Sequence, residues 1–213
     1  MLINGKPVIT IVDYNAGNLR SVKRACDAVG IEADFTQDAD KVARADRLIF
    51  PGVGHAKTAM DTLDRTGLAE AVRHVVKRGV PVLGICVGAQ LVLESSEEGP
   101  TPGLGLLPGH TRRLQVNDPR LKIPHMGWNN VRVEQPHPLL AHFQADDELY
   151  FVHSYYLEPS HAKHVYATTE HGTRFCVALG RDNLFATQFH PEKSGPVGLA
   201  LLASFARWDG KPC

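Results

Sequence analysis

No apolar run in these 213 residues is long enough to cross a bilayer, and residues 1–7 lack the apolar core of a secretory signal. A cytosolic protein is expected. Charge of one sign is also missing: 23 Lys and Arg balance 23 Asp and Glu, so no net field draws nucleic acid or an anionic membrane surface. Cysteine is scarce, and Cys26, Cys86, Cys176 and Cys213 have none of the paired spacing of a zinc site or a redox motif. Repeats, low-complexity tracts and long linkers are absent. With 43% hydrophobic and 22% charged residues, the chain reads as one globular domain spanning 1–213.

What is present is alternation. Residues 8–14 read as a strand, 18–29 as a helix with Leu19, Val22, Ala25, Cys26 and Val29 at helical spacing, and 31–36 and 47–51 as further strands. Residues 58–77 are helical in pattern with an interruption near Gly67, and 80–85 form a continuous apolar strand. Such alternation predicts an α/β fold, a parallel sheet with helices on both faces. From Thr111 onward the texture changes to strands at 115–116, 129–133, 148–157, 165–169, 174–179 and 184–189, with a hairpin loop at Arg181-Asp182-Asn183 and a closing helix over 195–208. The sheet is therefore expected to be open and mixed.

The 80–85 strand stops at Gly84-Ile85-Cys86-Val87-Gly88-Ala89-Gln90, a cysteine form of the strand-turn-helix elbow that lifts a nucleophile above a sheet. A free thiol is only a few per cent thiolate at neutral pH, roughly, and a helix N-terminus and a nearby imidazolium both favour the charged form. The amide of Val87 would point at a developing oxyanion. An ordinary buried cysteine fits the same stretch, so a partner decides between the two. His190-Pro191-Glu192 supplies one: it follows a strand, and in an extended segment residues two apart share a side, about 6–7 Å apart, so Glu192 can reach one nitrogen of His190 and leave the other for the thiol. Pro51-Gly52-Val53-Gly54 ends another strand, and its glycines allow a peptide plane to turn toward a reacting carbonyl, which makes Val53 and Gly54 the second oxyanion donors. Gln90, one helical turn after the cysteine, lies on its face and is expected to contact the substrate.

With these residues in hand, the chain resembles the class I, triad-type glutamine amidotransferases. The segments Asp13-Tyr14-Asn15-Ala16-Gly17-Asn18-Leu19, Pro51-Gly52-Val53-Gly54-His55, Pro124-His125-Met126-Gly127-Trp128-Asn129 and Tyr150-Phe151-Val152-His153-Ser154-Tyr155-Tyr156 are similar to those of one branch, the glutaminase subunits of imidazole glycerol phosphate synthase. Val87 and Ala89 stand where that elbow more often has Leu and Met. The resemblance implies a flavodoxin-like mixed, mostly parallel sheet, and hydrolysis of L-glutamine by Cys86, His190 and Glu192 without metal or organic cofactor. It also implies a substrate ammonium held by Glu98, a substrate carboxylate held by the backbone of Ser154 and Tyr155, and a cyclase subunit with a (β/α)8 barrel as heterodimer partner. Asn15, Asn18, His125, Met126, Trp128 and Tyr150 would face that partner, with Tyr150 gating ammonia. Two other readings share the elbow: a stand-alone γ-glutamyl cysteine hydrolase or protease, which would need no barrel subunit, and a non-enzymatic scaffold, which would need no intact triad.

Overall fold

A computed structural model describes residues 2–3, 6–15 and 18–211, so Ala16, Gly17 and Cys213 lie outside the described residues. The first half runs β1 (Ile9–Val12), α1 (Leu19–Ala28), β2 (Ala33–Thr36), α2 (Ala39–Ala43), β3 (Leu48–Gly52), α3 (Ala56–Arg65), α4 (Leu68–Lys77), β4 (Val82–Cys86) and α5 (Val87–Leu91). The second half runs β5 (Gly109–Arg113), β6 (His125–Asn130), β7 (Glu148–His153), β8 (Tyr155–Pro159), β9 (Val165–Glu170), β10 (Arg174–Arg181), β11 (Leu184–Thr187) and α6 (Gly195–Arg207).

The main sheet has the order β2-β1-β3-β4-β11-β10-β8-β5, continued by the short strands Ser95–Ser96 and Thr101–Pro102, with β9 alongside β10. The five strands from β2 to β11 are parallel to their neighbours, and those beyond are antiparallel as far as β5. Right-handed crossovers require α1, which leads from β1 outward to β2, to cover one face, and α2 to α4, which lead back past β1 to β4, to cover the other. Packing agrees, since α1 lies against α6 while α4 lies against α2 and α3. The core forms where it must. In β3 and β4 every residue is buried, as sandwiched parallel strands require, and α1 buries Leu19, Val22, Ala25 and Cys26 at helical spacing.

Several expected elements move. The helical stretch before β4 is two helices broken at Gly67, and the 115–116 strand is instead β5, whose inward residues Gly109 and Thr111 are not apolar and so hid its period. Helix α2 was not expected: five residues are too few for a periodic signal, and it is started by the Asp38 carboxylate, which accepts the amides of Asp40 and Lys41 at 2.9 and 3.3 Å. The 129–133 strand begins earlier, as β6, and the 148–157 strand is two strands broken at Ser154. This break changes partners. Among the described residues strand β7 pairs only with β6, in the register His125↔His153 to Asn130↔Glu148, whereas β8 joins the main sheet between β10 and β5. The β6–β7 ribbon is thus a separate two-stranded sheet, and it reaches the segment after β11, where the Tyr150 carbonyl accepts the His190 amide at 3.0 Å.

Candidate active site

Strand register brings the distant motifs together. In the parallel ladder Gly52 lies opposite Cys86, and Thr187 lies opposite Ile85, so the segment after β11 arrives beside the elbow. Cys86 has φ 54° and ψ −110°, a conformation disfavoured for any residue with a Cβ and the mark of a strained nucleophile turn. Helix α5 starts immediately afterward. Its first residue is Val87, so the Val87 amide has no acceptor within the helix. Gly88 is required by close approach, because a Cβ there would overlap the Phe50 carbonyl of β3.

His190 Nδ1 lies 2.8 Å from Glu192 Oε1, and both side chains are buried. The reach differs from the expected one: Glu192 sits in a 3₁₀ turn, Pro191–Lys193, not in an extended segment, and the turn carries the carboxylate back to the ring. Nδ1 therefore carries a hydrogen. Nε2 is buried and has no conventional hydrogen-bond partner among the described residues, while the Cys86 sulfur is the nearby group that acts on the ring. Burial disfavours the imidazolium, but the Cys86 sulfur and Glu192 outweigh it and push the His190 pKa up to about 10. The sulfur has a further neighbour in Gln188, whose Nε2 lies 3.7 Å away.

A cavity of about 260 Å³ opens over the sulfur, lined by Val53, Gly54, Cys86, Val87, Gln90, Glu98, Ser154, Tyr155 and His190 together with Pro124, Val152 and His153. Nine residues expected at the site therefore share one wall. Gly54 has φ +92° and nothing within 4 Å of a built Cβ, so its glycine serves conformation and not space. Glu98 is more than a surface acid, because one carboxylate oxygen accepts the Ala56 amide at 2.6 Å and so caps α3 directly behind the Val53-Gly54 loop. Gln90 Nε2 donates to the Tyr155 carbonyl and to Gln188 Oε1, at 3.2 and 3.1 Å, which makes it a brace for the cavity wall.

The six residues expected to face a partner separate into three groups. Met126 and Trp128 are 63% and 53% exposed, and the Trp128 ring meets Tyr150 edge-on at 6.0 Å. Tyr150 links that face to the site: its carbonyl accepts the His190 amide at 3.0 Å, and Lys193 Nζ lies 5.5 Å from its ring centre. Asn15 is exposed, and its Oδ1 accepts from Gln37 Nε2 at 3.3 Å. His125 is corrected, since it is only 4% exposed and turns inward against His153 because alternate residues of β6 face opposite ways. Asn18 is also bound inward, with Nδ2 2.9 Å from Glu192 Oε1. Sequence reasoning missed Gln188, Tyr14 and this use of Asn18. Tyr14 Oη is buried, has no hydrogen-bond partner among the described residues and would collide with any Cβ on Gly52; burial first, then the Cys86 charge, drives its pKa upward.

Residues 10–207 match the family described as Glutamine amidotransferase class-I. The chain is 46% identical over 203 residues to "Imidazole glycerol phosphate synthase subunit HisH" of Acinetobacter baylyi, covering 94% of this chain and 98% of that one. It is 45% identical over 209 residues to the subunit of the same name from Chromobacterium violaceum, covering 95% and 98%. Two solved structures share the fold at low identity: PurLQS from Thermotoga maritima, with TM-score 0.72, 20% identity and coverage of 95% and 98%, and the glutaminase domain of Trypanosoma brucei CTPS, with TM-score 0.65, 16% identity and 98% of each chain. Strand order, elbow and sequence relationship agree, and the chain belongs to the class I glutamine amidotransferases, in the family of HisH subunits of imidazole glycerol phosphate synthase.

Proposed function

We propose that this single-domain chain hydrolyses L-glutamine to glutamate and ammonia and delivers the ammonia to a cyclase subunit, a (β/α)8 barrel, with which it forms a cytoplasmic heterodimer serving histidine biosynthesis. The observation that carries the reading is the His190 ring, anchored at Nδ1 by Glu192 at 2.8 Å and with Nε2 left to the Cys86 sulfur among the described residues, on the wall of a cavity of about 260 Å³. The Cys86 thiol gives its proton to His190 and the thiolate attacks the carboxamide carbon, and the negative charge that develops on oxygen is met by the Val87 amide and an amide of the Val53-Gly54 turn. His190 passes its proton to the departing nitrogen. Ammonia leaves, a γ-glutamyl thioester remains, and water deprotonated by His190 releases glutamate and restores the thiol.

Substrate orientation follows from the charges on the cavity wall. Glu98 takes the ammonium group, and the backbone of Ser154 and Tyr155 takes the carboxylate, which leaves the side-chain amide over the sulfur. Docking is assigned to the face with Met126 and Trp128, because large apolar side chains of such exposure are the composition of an interface hot spot. Tyr150, whose ring meets Trp128, and the exposed Asn15 are assigned to the same interface. No step requires a metal or an organic cofactor.

The test is Cys86→Ala, assayed in complex with the cyclase. Glutamine hydrolysis falls to background, while complex formation and turnover with ammonium salts persist. Retained hydrolysis would sink the nucleophile assignment, and a wild-type chain indifferent to the cyclase would favour a stand-alone hydrolase.

A further inference from the structure

From the cavity wall at His153 a row of polar side chains, buried at His153 and His125 and half-buried at Asn129, runs outward, and the reaction as written does not use them. His153 Nδ1 is 2.7 Å from the Tyr155 carbonyl oxygen, and since a carbonyl only accepts, Nδ1 carries the hydrogen. Burial pulls the His153 pKa down to about 3 against the opposing effect of that hydrogen bond, so the ring is neutral and its Nε2 is an acceptor. His125 Nδ1 lies 3.0 Å from this Nε2 and must therefore be the donor. The His125 ring is neutral too, lowered to about 4 by burial and then by His171, so its own Nε2 accepts from Asn129 Nδ2 at 3.2 Å. The other hydrogen of that amide goes to the Glu170 carbonyl at 2.9 Å, and Asn129 Oδ1 takes the Asn130 amide at 2.9 Å. Every group has one orientation. Reversing the tautomer of His153 would break two bonds at once.

The two ends of this row differ in kind. At the inner end the Tyr155 carbonyl also accepts Gln90, which continues through Gln188 to the Cys86 sulfur. The neighbouring Ser154 carbonyl is held by the Leu114 amide at 2.9 Å, so both carbonyls at the strand break are pinned. Because a peptide N–H points opposite to the carbonyl of its own plane, the Tyr155 amide direction is fixed with them. At the outer end His125 and Asn129 belong to β6, the strand that exposes Met126 and Trp128. Two apolar side chains would fill the same space without demanding six matched donors and acceptors.

We propose that His125 and His153 are positioning residues for glutamine hydrolysis: two neutral rings of fixed tautomer that hold the Ser154-Tyr155 segment and Gln90 at the cavity and tie them to strand β6. The proposal rests on the glutaminase reading above, and its first test is independent of activity. Long-range proton–nitrogen NMR of the histidine-labelled chain at neutral pH, with His125→Phe used for assignment, is expected to find both rings neutral and protonated at Nδ1. A His153 ring protonated at Nε2 would overturn the proposal.

The second test is steady-state kinetics of the complex with the cyclase. His153→Leu removes both hydrogen bonds and is expected to raise KM for glutamine about 10-fold with kcat changed less than about 3-fold, whereas His153→Asn, which keeps a donor at the Nδ1 position, restores KM to within about 3-fold of wild type. Equal KM values in the two variants, or an unchanged KM in His153→Leu, would leave the ring a packing element only. If His153→Leu does not fold, His125→Phe takes its place: it strips the donor from His153 Nε2, a KM rise of about 3-fold or more is expected, and an unchanged KM overturns the proposal. Absence of glutamine hydrolysis by the wild-type complex would instead overturn the glutaminase reading and leave the tautomer result standing.

Discussion

At the scale of single residues, the least foreseeable contact is Asn18 with Glu192. The two are 174 positions apart, and the Asn18 amide shares with His190 the same oxygen, Glu192 Oε1. Asn18 stands at the start of α1 with φ 64° and makes no capping bond with its side chain, so the amide is aimed at the carboxylate and not at its own helix. That geometry predicts a positioning role for Asn18 on the Glu192-His190 pair. A hydrogen bond to a charged group contributes about 1.5–3 kcal/mol, so Asn18→Ala is expected to lower kcat for glutamine about 10- to 100-fold with little change in KM. Asn18→Asp, which sets a second carboxylate against Glu192, is expected to be at least as harmful. Unchanged kcat in Asn18→Ala would reduce the contact to packing. Residue types were legible where chemistry demands them in a short window, as with the elbow cysteine and His190-Pro191-Glu192. Asn18 was not, because its partner is set by the docking of α1 beside the turn at Pro191–Lys193.

At the scale of elements, the elbow and the strand break at Ser154 create the site. The elbow stores strain: a non-glycine residue at φ 54° and ψ −110° costs about 1–3 kcal/mol, which the buried β4 and α5 around it must sustain. Replacing Cys86 by Gly removes the Cβ and relieves that strain, against an unfolded-state cost for glycine of about 0.5–1 kcal/mol. Cys86→Gly is therefore expected to melt a few degrees above Cys86→Ala in a thermal scan, and the reverse order would refute the strain. Parallel strands and their helices were readable because continuous apolar runs and helical spacing are local signals. The break at Ser154 was not, since residues 148–157 alternate like one strand; the two halves part because β7 pairs with β6 while β8 is drawn between β10 and β5.

At the scale of the whole molecule, the buried histidines shape how stability varies with pH. The pKa of His190 rises from 6.5 to about 10 on folding, so its contribution is complete below pH 6.5 and is lost as pH climbs through 10. Burial lowers His125 and His137 to about 4 and His153 to about 3, so their contribution is complete above pH 6.5 and is lost as pH falls through those values. The expected profile of denaturant midpoint against pH is a dome that falls on both sides. Cys86→Ala should flatten the alkaline limb, because the sulfur is among the groups that raise His190. An alkaline limb of undiminished slope in that variant would assign it to other groups.

By itself the sequence determined which groups could react and where regular elements must lie, since an apolar run ending at Gly84-Ile85-Cys86-Val87-Gly88 admits little but a buried strand turning into a helix. The α/β class and the family resemblance rest on such local signals. Tertiary structure decided who meets whom. Only the parallel register of β4 with β3 and β11 puts Gly52 and the residues after Thr187 beside Cys86. Only the ribbon of β6 and β7 turns His125 inward onto His153 while leaving Trp128 outside. Those pairings are set by burial and strand register across the whole sheet, which no short window of residues carries.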